Sequence, residues 1–256
     1  MRIRPLFICK SHYTFLEGIH AVSDLVEFAR DRGITPLCLA DKNGLYGAVE
    51  FLTACRDAGI HPILGTELVQ GPRQAILLAR NHTGYEEMSE WVTRLHLDGL
   101  RIDKDLEVDS PNLLVLCRDP FLLQRWLKPG KNSLFPALTL TNRQACQTVL
   151  NLLSRRPSRQ GGTRIPAVPV VEVNLLSPND TSLYRMVSAI RLDCTVQTLP
   201  TEDLYPWEEA LERLSPEIET DTPPYDPLLS GTDLAHRCQL ELDVNSYHLP
   251  AFTPTE

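Results

Sequence analysis

The run FICKSHYTFLEG, residues 7–18, passes from an apolar, aromatic stretch into a polar turn that carries Cys9, Lys10, Ser11 and His12. A thiolate and an imidazole at the mouth of a strand are the donors of a metal site. Residues of similar promise follow other short apolar runs: Asp41 and Lys42 after TPLCLA, Glu67 within HPILGTEL, and Glu172 and Asn174 at the end of PAVPVVEV. Carboxylates gathered where strands end serve metal ligation or acid–base chemistry. A hydrolytic multi-metal site, however, uses several neutral imidazoles beside its carboxylates to hold cations about 3.5–4 Å apart. Here the neighbouring positions are Lys10 and Lys42, and an ammonium group has three donors, no lone pair and a charge that repels a cation.

Other catalytic templates fail. Gly130 and Lys131 lack both the upstream glycine and the following serine of a phosphate loop, and no HExxH, GxSxG or EF-hand pattern occurs. Ser11 and His12 are adjacent on a turn and do not face each other as nucleophile and base. His61, His82, His96 and His236 fall singly on predicted strand or helix surfaces, where a hydrogen-bonded or solvated imidazole is the expectation. The residue types present assign no catalytic group.

The elements that must position these residues alternate in kind. LFIC (6–9), TPLCLA (35–40), HPILGTEL (61–68), QAILLA (74–79), NLLVLC (112–117) and PAVPVVEV (166–173) have strand length and composition, with SLFPALTL (133–140) a weaker candidate because of Pro136. Helical periodicity covers 21–32, 45–58, 84–97, 119–127, 141–154 and 180–191. Leu25, Val26, Phe28 and Ala29 share one face of the first, which Asp31 and Gly33 close. Strand and helix in repetition predict parallel βαβ units, and about seven of them favour a closed barrel over an open sheet. In such barrels the chemistry sits just past the strand ends, where the residues above fall.

The loop RRPSRQGGTR (155–164) reads as a solvated connection, with Arg155, Arg156, Arg159 and Arg164 as the candidates for any phosphate contact. Beyond residue 200 the chain turns acidic and proline-rich, with a short helix expected at 207–214 and a last one at 230–242 before the tail DVNSYHLPAFTPTE. The expected organisation is a single domain over 1–256, its barrel spanning about 1–200 and an extension over about 201–256 leading toward further sequence.

With 256 residues, 43% of them hydrophobic, the chain can bury one sizeable core. Twenty-five basic against 33 acidic residues give a net charge of −8, so bulk charge does not imply a broad basic face for nucleic acid and any DNA contact would be local or indirect. Seven dispersed cysteines without a CxxC pair argue against a disulfide framework and for a reducing cytoplasm. The opening residues lack the apolar core of a signal peptide, and no run reaches the roughly 18 apolar residues of a membrane span. A cytoplasmic protein without membrane attachment is expected.

SHYTFLEG (11–18), LADKNGLYGAVEFLTACRDAGIHPILGTEL (39–68), LLARNHTGYEEM (77–88) and CQLELDVNSYHLPAF (238–252) together resemble the polymerase-and-histidinol-phosphatase (PHP) domain of bacterial DNA polymerase III alpha subunits. GLYGAVEF and YHLPAF are specific to the polymerase branch; residues 100–165 resemble it only in pattern. The resemblance implies a PHP-type distorted seven-stranded (β/α) barrel, fused in the family to a polymerase body whose catalytic aspartates are not in this sequence. Family members with intact sites bind zinc, manganese or iron. Position by position, their first-strand HxH stands here as Ile8 and Lys10 and their Asp-His as Asp41 and Lys42. The third-strand glutamate is Glu67, and the last-strand Asp-x-His stands as Glu172 and Asn174.

By resemblance, these seven positions are a vestigial metal pocket without a metal, and the domain lacks phosphoesterase and proofreading activity. A replacement site from Cys9, His12, Asp41 and Glu67 is opposed by strand alternation, which points Cys9 away from Ile8 and Lys10. Charge then predicts that Lys10 and Lys42 pair with Asp41, Glu67 or Glu172, because buried carboxylates left without cations are costly. The implied role is a scaffold and docking domain in DNA replication. Its partners would be the polymerase body in cis and, as in some members with degenerate sites, a proofreading exonuclease subunit. Two alternatives remain: a stand-alone metal-dependent phosphoesterase, and a nucleic-acid-binding module using the four loop arginines.

Overall fold

Seven of the apolar runs hydrogen-bond into one closed barrel in the computed structural model, which describes residues 2–106, 109–127, 133–140, 142–154, 165–200, 217–219 and 227–243. The elements run β1 (Arg2–Ile3), β2 (Leu6–Cys9), α1 (Val22–Asp31), β3 (Leu37–Lys42), α2 (Ala48–Ala58), β4 (Pro62–Gln70), β5 (Arg73–Ala79), α3 (His82–Leu97) and α4 (Ile102–Asp105). They continue with β6 (Leu113–Cys117), α5 (Pro120–Trp126), β7 (Leu134–Thr139), α6 (Arg143–Ser154), β8 (Val168–Val173), α7 (Asp180–Arg191), β9 (Ile218–Glu219) and α8 (Gly231–Ala235). The barrel closes through β2 to β8 in chain order, and β1 pairs separately with β9.

Period-two alternation divides the strand residues into two cores. Ile8, Cys38, Ala40, Ile63, Ile76, Leu78, Leu114, Leu116, Phe135 and Val170 fill the barrel interior. Phe7, Cys9, Leu37, Leu39, Leu64, Leu77, Val115 and Val173 face outward and meet the helices, among them Val22, Leu25, Val26 and Ala29 on the stripe of α1. Cys9 is thus a buried packing group whose thiol donates to the Cys38 carbonyl, and burial pushes its pKa up.

The expectation of parallel strands throughout is corrected at β5, which runs antiparallel to both β4 and β6. The cause is loop length. Gln70 pairs with Arg73 across Gly71 and Pro72, and a two-residue connection can only reverse the chain; Gly71, at φ +55°, takes the left-handed conformation the turn needs. SLFPALTL is a full barrel strand. Val115 N donates to Ser133 O, so the ladder to β6 uses the odd-numbered residues of β7, and Pro136 faces β8, whose pairing begins only at Ala137. The missing N–H therefore breaks no ladder bond.

The last predicted helix is shortened to Gly231–Ala235, held at its start by a Ser230–Asp233 capping box. The chain beyond it crosses the barrel's lower end instead: Gln239 N donates to Arg80 O, and His61 Nε2 lies 2.9 Å from Cys238 O. Leu234, Ala235 and Cys238 plug the interior from below. α4 and the β1–β9 pair carry too few residues to register as periodicity. The predicted helix at 207–214 and the tail after 243 lie outside the described residues.

Candidate functional site

At the upper end of the barrel, the next inward positions on the strands carry charge in place of the apolar interior. Lys10 follows Ile8, Lys42 follows Ala40, Glu67 lies above Ile63, Arg118 follows Leu116, and Glu172 follows Val170. Lys10 Nζ lies 2.6 Å from Glu67 Oε2 and 3.2 Å from Glu17 Oε2. Lys42 Nζ lies 2.5 Å from Glu17 Oε1. Arg118 bridges onward: Nη2 reaches Glu67 Oε1 at 2.9 Å and Gln74 Oε1 at 3.4 Å, and Nη1 pairs with Glu172 Oε1. The result is one chain of alternating sign, Lys42–Glu17–Lys10–Glu67–Arg118–Glu172, with three cations against three anions. Glu67 is its centre, with its side chain only 3% exposed and each oxygen facing a different cation.

Burial raises the cost of every charge here, and the pairing overcomes it. Desolvation alone would lift Glu67, but Lys10 and Arg118 hold it below the ordinary glutamate value; Glu17 is likewise opposed by burial and held down by Lys10 and Lys42. Burial would lower Lys10, yet Glu67, Glu17 and Glu172 raise it, and Arg118 is raised by Glu172 and Glu67 against the same burial. The depressed carboxylates contribute stability that is present above the unfolded glutamate value of about 4.5 and lost as pH falls through their lower folded values. The raised Lys10 contributes stability present below the unfolded value of 10.5 and lost only as pH rises through its higher folded value. Denaturant unfolding from pH 3 to 9 should therefore show constant stability above about pH 5 and a fall below about 4.5. Stability unchanged down to pH 3 would contradict the network.

Asp41 does not join the chain of charges. It shares the outward parity of Leu37 and Leu39, so it lies on the opposite face of β3 from Lys42. There its carboxylate accepts from Ser11 N at 2.7 Å, from Ser11 Oγ at 2.9 and 3.0 Å and from Thr14 Oγ1 at 2.8 Å, tying the turn after β2 to β3. Lys42 N in turn donates to Thr14 Oγ1. The expected pairing therefore forms between Lys10 and Glu67, whereas Lys42 takes Glu17 and Asp41 takes neutral donors.

Ile8 is buried in the barrel interior below Lys10, and Asn174 is half-buried just past β8. Arg155, Arg156, Arg159 and Arg164 lie outside the described residues. The four isolated histidines have local roles where contacts are defined: His61 as above, His96 Nε2 2.8 Å from Asn43 O, and His82 Nδ1 3.5 Å from Glu86. Three contributors escaped the sequence reading, Glu17, Arg118 and Gln74. Arg118 stands directly after an apolar run, the same signal that singled out Lys10 and Lys42.

The charged side chains fill the space they surround. The cavity among Glu67, Gln74, Arg118 and Glu172 has about 10 Å³ of free volume, the size of one water. Among the described residues no three His, Cys, Asp or Glu side chains gather so as to hold a metal ion.

Comparison with known proteins agrees with this fold. Residues 8–120 match the model of the PHP domain family. The chain is related to the PHP region of DNA polymerase III alpha subunits. It is 27% identical over 278 aligned residues to that of Halalkalibacterium halodurans, covering 96% of this chain and 24% of the relative. It is 26% identical over 282 to that of Bacillus subtilis, covering 94% and 24%. An error-prone DNA polymerase of Anaeromyxobacter sp. is 39% identical over 94 residues, 34% of this chain and 8% of that protein. The chain thus spans about a quarter of the length of the alpha subunits it matches.

Proposed function

We propose that this chain is a catalytically degenerate PHP domain acting as a scaffold and docking domain of a bacterial replicative DNA polymerase III alpha subunit, in the cytoplasm. The observation that carries the reading is the closed network at the barrel mouth. A metal cluster needs carboxylate lone pairs turned toward a shared cation, together with neutral imidazoles. Here the oxygens of Glu67 and Glu172 face Arg118, those of Glu67 and Glu17 face Lys10, and Asp41 is spent on Ser11 and Thr14. These residues do not fit the family's metals, and no step of phosphoester hydrolysis is available to them through one.

What remains is a rigid barrel whose mouth is locked by charge pairs. The segment 227–243, folded back across the lower end, suits a brace for a polymerase body in cis and for a proofreading exonuclease subunit in trans. DNA contact would be indirect. Sedimentation of the chain with the exonuclease subunit of the same genome should give a stoichiometric complex, and the chain should hydrolyse p-nitrophenyl phosphate no faster than buffer with manganese, zinc or iron present. Metal-dependent turnover without complex formation would favour the phosphoesterase alternative and overturn the proposal.

A further inference from the structure

We infer that residues 227–235 form a strap that clasps the closing seam of the barrel, the junction of β2 with β8, so that the seam stays shut only while the strap is in place. β2 and β8 are the barrel strands farthest apart in the chain, and their parallel ladder runs only from Leu6↔Val170 to Cys9↔Val173. Pairing such distant segments carries the largest loop-closure cost of any pairing in the barrel, so a second tie across it has the most to add. The clasp is a property of the barrel and holds whether or not the domain serves as a scaffold.

Below Leu6 the pairing of β2 with β8 ends, and the strap takes over. Leu140 N donates to Val170 O, so the even-numbered residues of β8 turn their backbone groups toward β7 and the odd-numbered ones toward β2. Ala167, just before β8, therefore presents its N–H and C=O on the side of β2, and the strap takes both. Ala167 N donates to Pro227 O at 3.1 Å and Leu229 N to Ala167 O at 2.9 Å, a parallel bridge centred on Leu228. Two residues further on, Gly231 N donates to Arg4 O at 2.9 Å, on the other side of the seam. Only a glycine makes that passage, because a Cβ on residue 231 would lie 2.7 Å from Pro5 O and 3.2 Å from Leu6 Cα, both main-chain atoms.

α8 then packs on β2 and β8 together, with Leu234 and Ala235 buried in the interior cluster that holds Leu6, Val168 and Val170. Ala167 is itself fully buried, so departure of the strap would leave its N–H and C=O unpaired away from water, a condition that folded chains avoid. At the opposite end of the seam, Lys10 on β2 is tied to Glu172 on β8 by way of Glu67 and Arg118. The charge network and the strap thus hold one seam at its two ends, the first across the mouth and the second from below.

Amide hydrogen exchange of the full chain under native conditions tests the clasp. Gly231→Val is expected to raise exchange in β2 and β8 about tenfold or more, while β5 and β6, opposite the seam, stay within about twofold of the wild type. Ser230→Ala removes the capping box of α8 without a clash and is expected to give the same pattern at about fivefold; it decides the matter if the valine variant does not fold. Wild-type protection of β2 and β8 in Ser230→Ala, whatever happens to the amides of the strap itself, would mean that the seam closes without the strap, and overturns the inference. An equal rise in all seven strands overturns it as well, since the strap would then support the whole fold and not its seam.

Discussion

Glu67→Gln should lower the unfolding free energy by about 3–5 kcal/mol, the cost of breaking a buried ion pair by removing one partner. The two oxygens of Glu67 are divided between Lys10 and Arg118, so neutralising it leaves both cations facing each other across an almost fully buried carboxamide. The double variant Lys10→Met, Glu67→Gln should cost clearly less than the sum of the single changes, because the second change removes the charge stranded by the first. Denaturant unfolding of the four proteins measures both quantities. Additive single effects would mean that the pair is not coupled and that the mouth is not a network.

Asp41→Ala should cost about 2–4 kcal/mol through another mechanism, the loss of acceptors for buried donors at roughly 1–3 kcal/mol per unsatisfied group. Ser11 N cannot rotate away, whereas the hydroxyls of Ser11 and Thr14 can seek other acceptors, so the cost falls below the full sum. Asp41→Asn, which keeps a carbonyl oxygen for Ser11 N, should lie between the wild type and the alanine variant. Amide exchange at Ser11 separates the two outcomes, rising strongly in the alanine variant and modestly in the asparagine one. If Asp41→Ala costs nothing, the residue is not tying the turn after β2 to β3, and its presence has to be explained by something other than the fold.

Much of this was legible in the residues. The barrel followed from seven short apolar runs, and the lysines announced themselves because an ammonium at a strand end cannot serve a cation. The reversal at β5 was also written in the sequence, as two residues between VQ and RQ, but periodicity reports elements and not their direction. Asp41 was misplaced because adjacency to Lys42 outweighed alternation, although the same alternation assigned Cys9 correctly to the outer layer. Arg118 and Glu17 were missed for different reasons. Arg118 lies in the stretch where the resemblance offers only a pattern, while Glu17 reaches the mouth from a loop whose path depends on Leu16 and Gly18, and no periodicity encodes such a path.

The network also holds the loop that follows β2, through Glu17. A metal at the mouth would compete for Glu17 and Glu67, whereas two lysines and an arginine hold them permanently and fix the turn that carries Phe15.

The most direct measurement of this account is the metal content of the full chain purified without chelator and then dialysed against manganese, zinc and iron in separate portions. The expected result is far below one equivalent of any metal, with Tm unchanged by the added ions. One or more equivalents held stoichiometrically, with a rise in Tm on loading, would contradict a mouth closed by Lys10, Lys42 and Arg118.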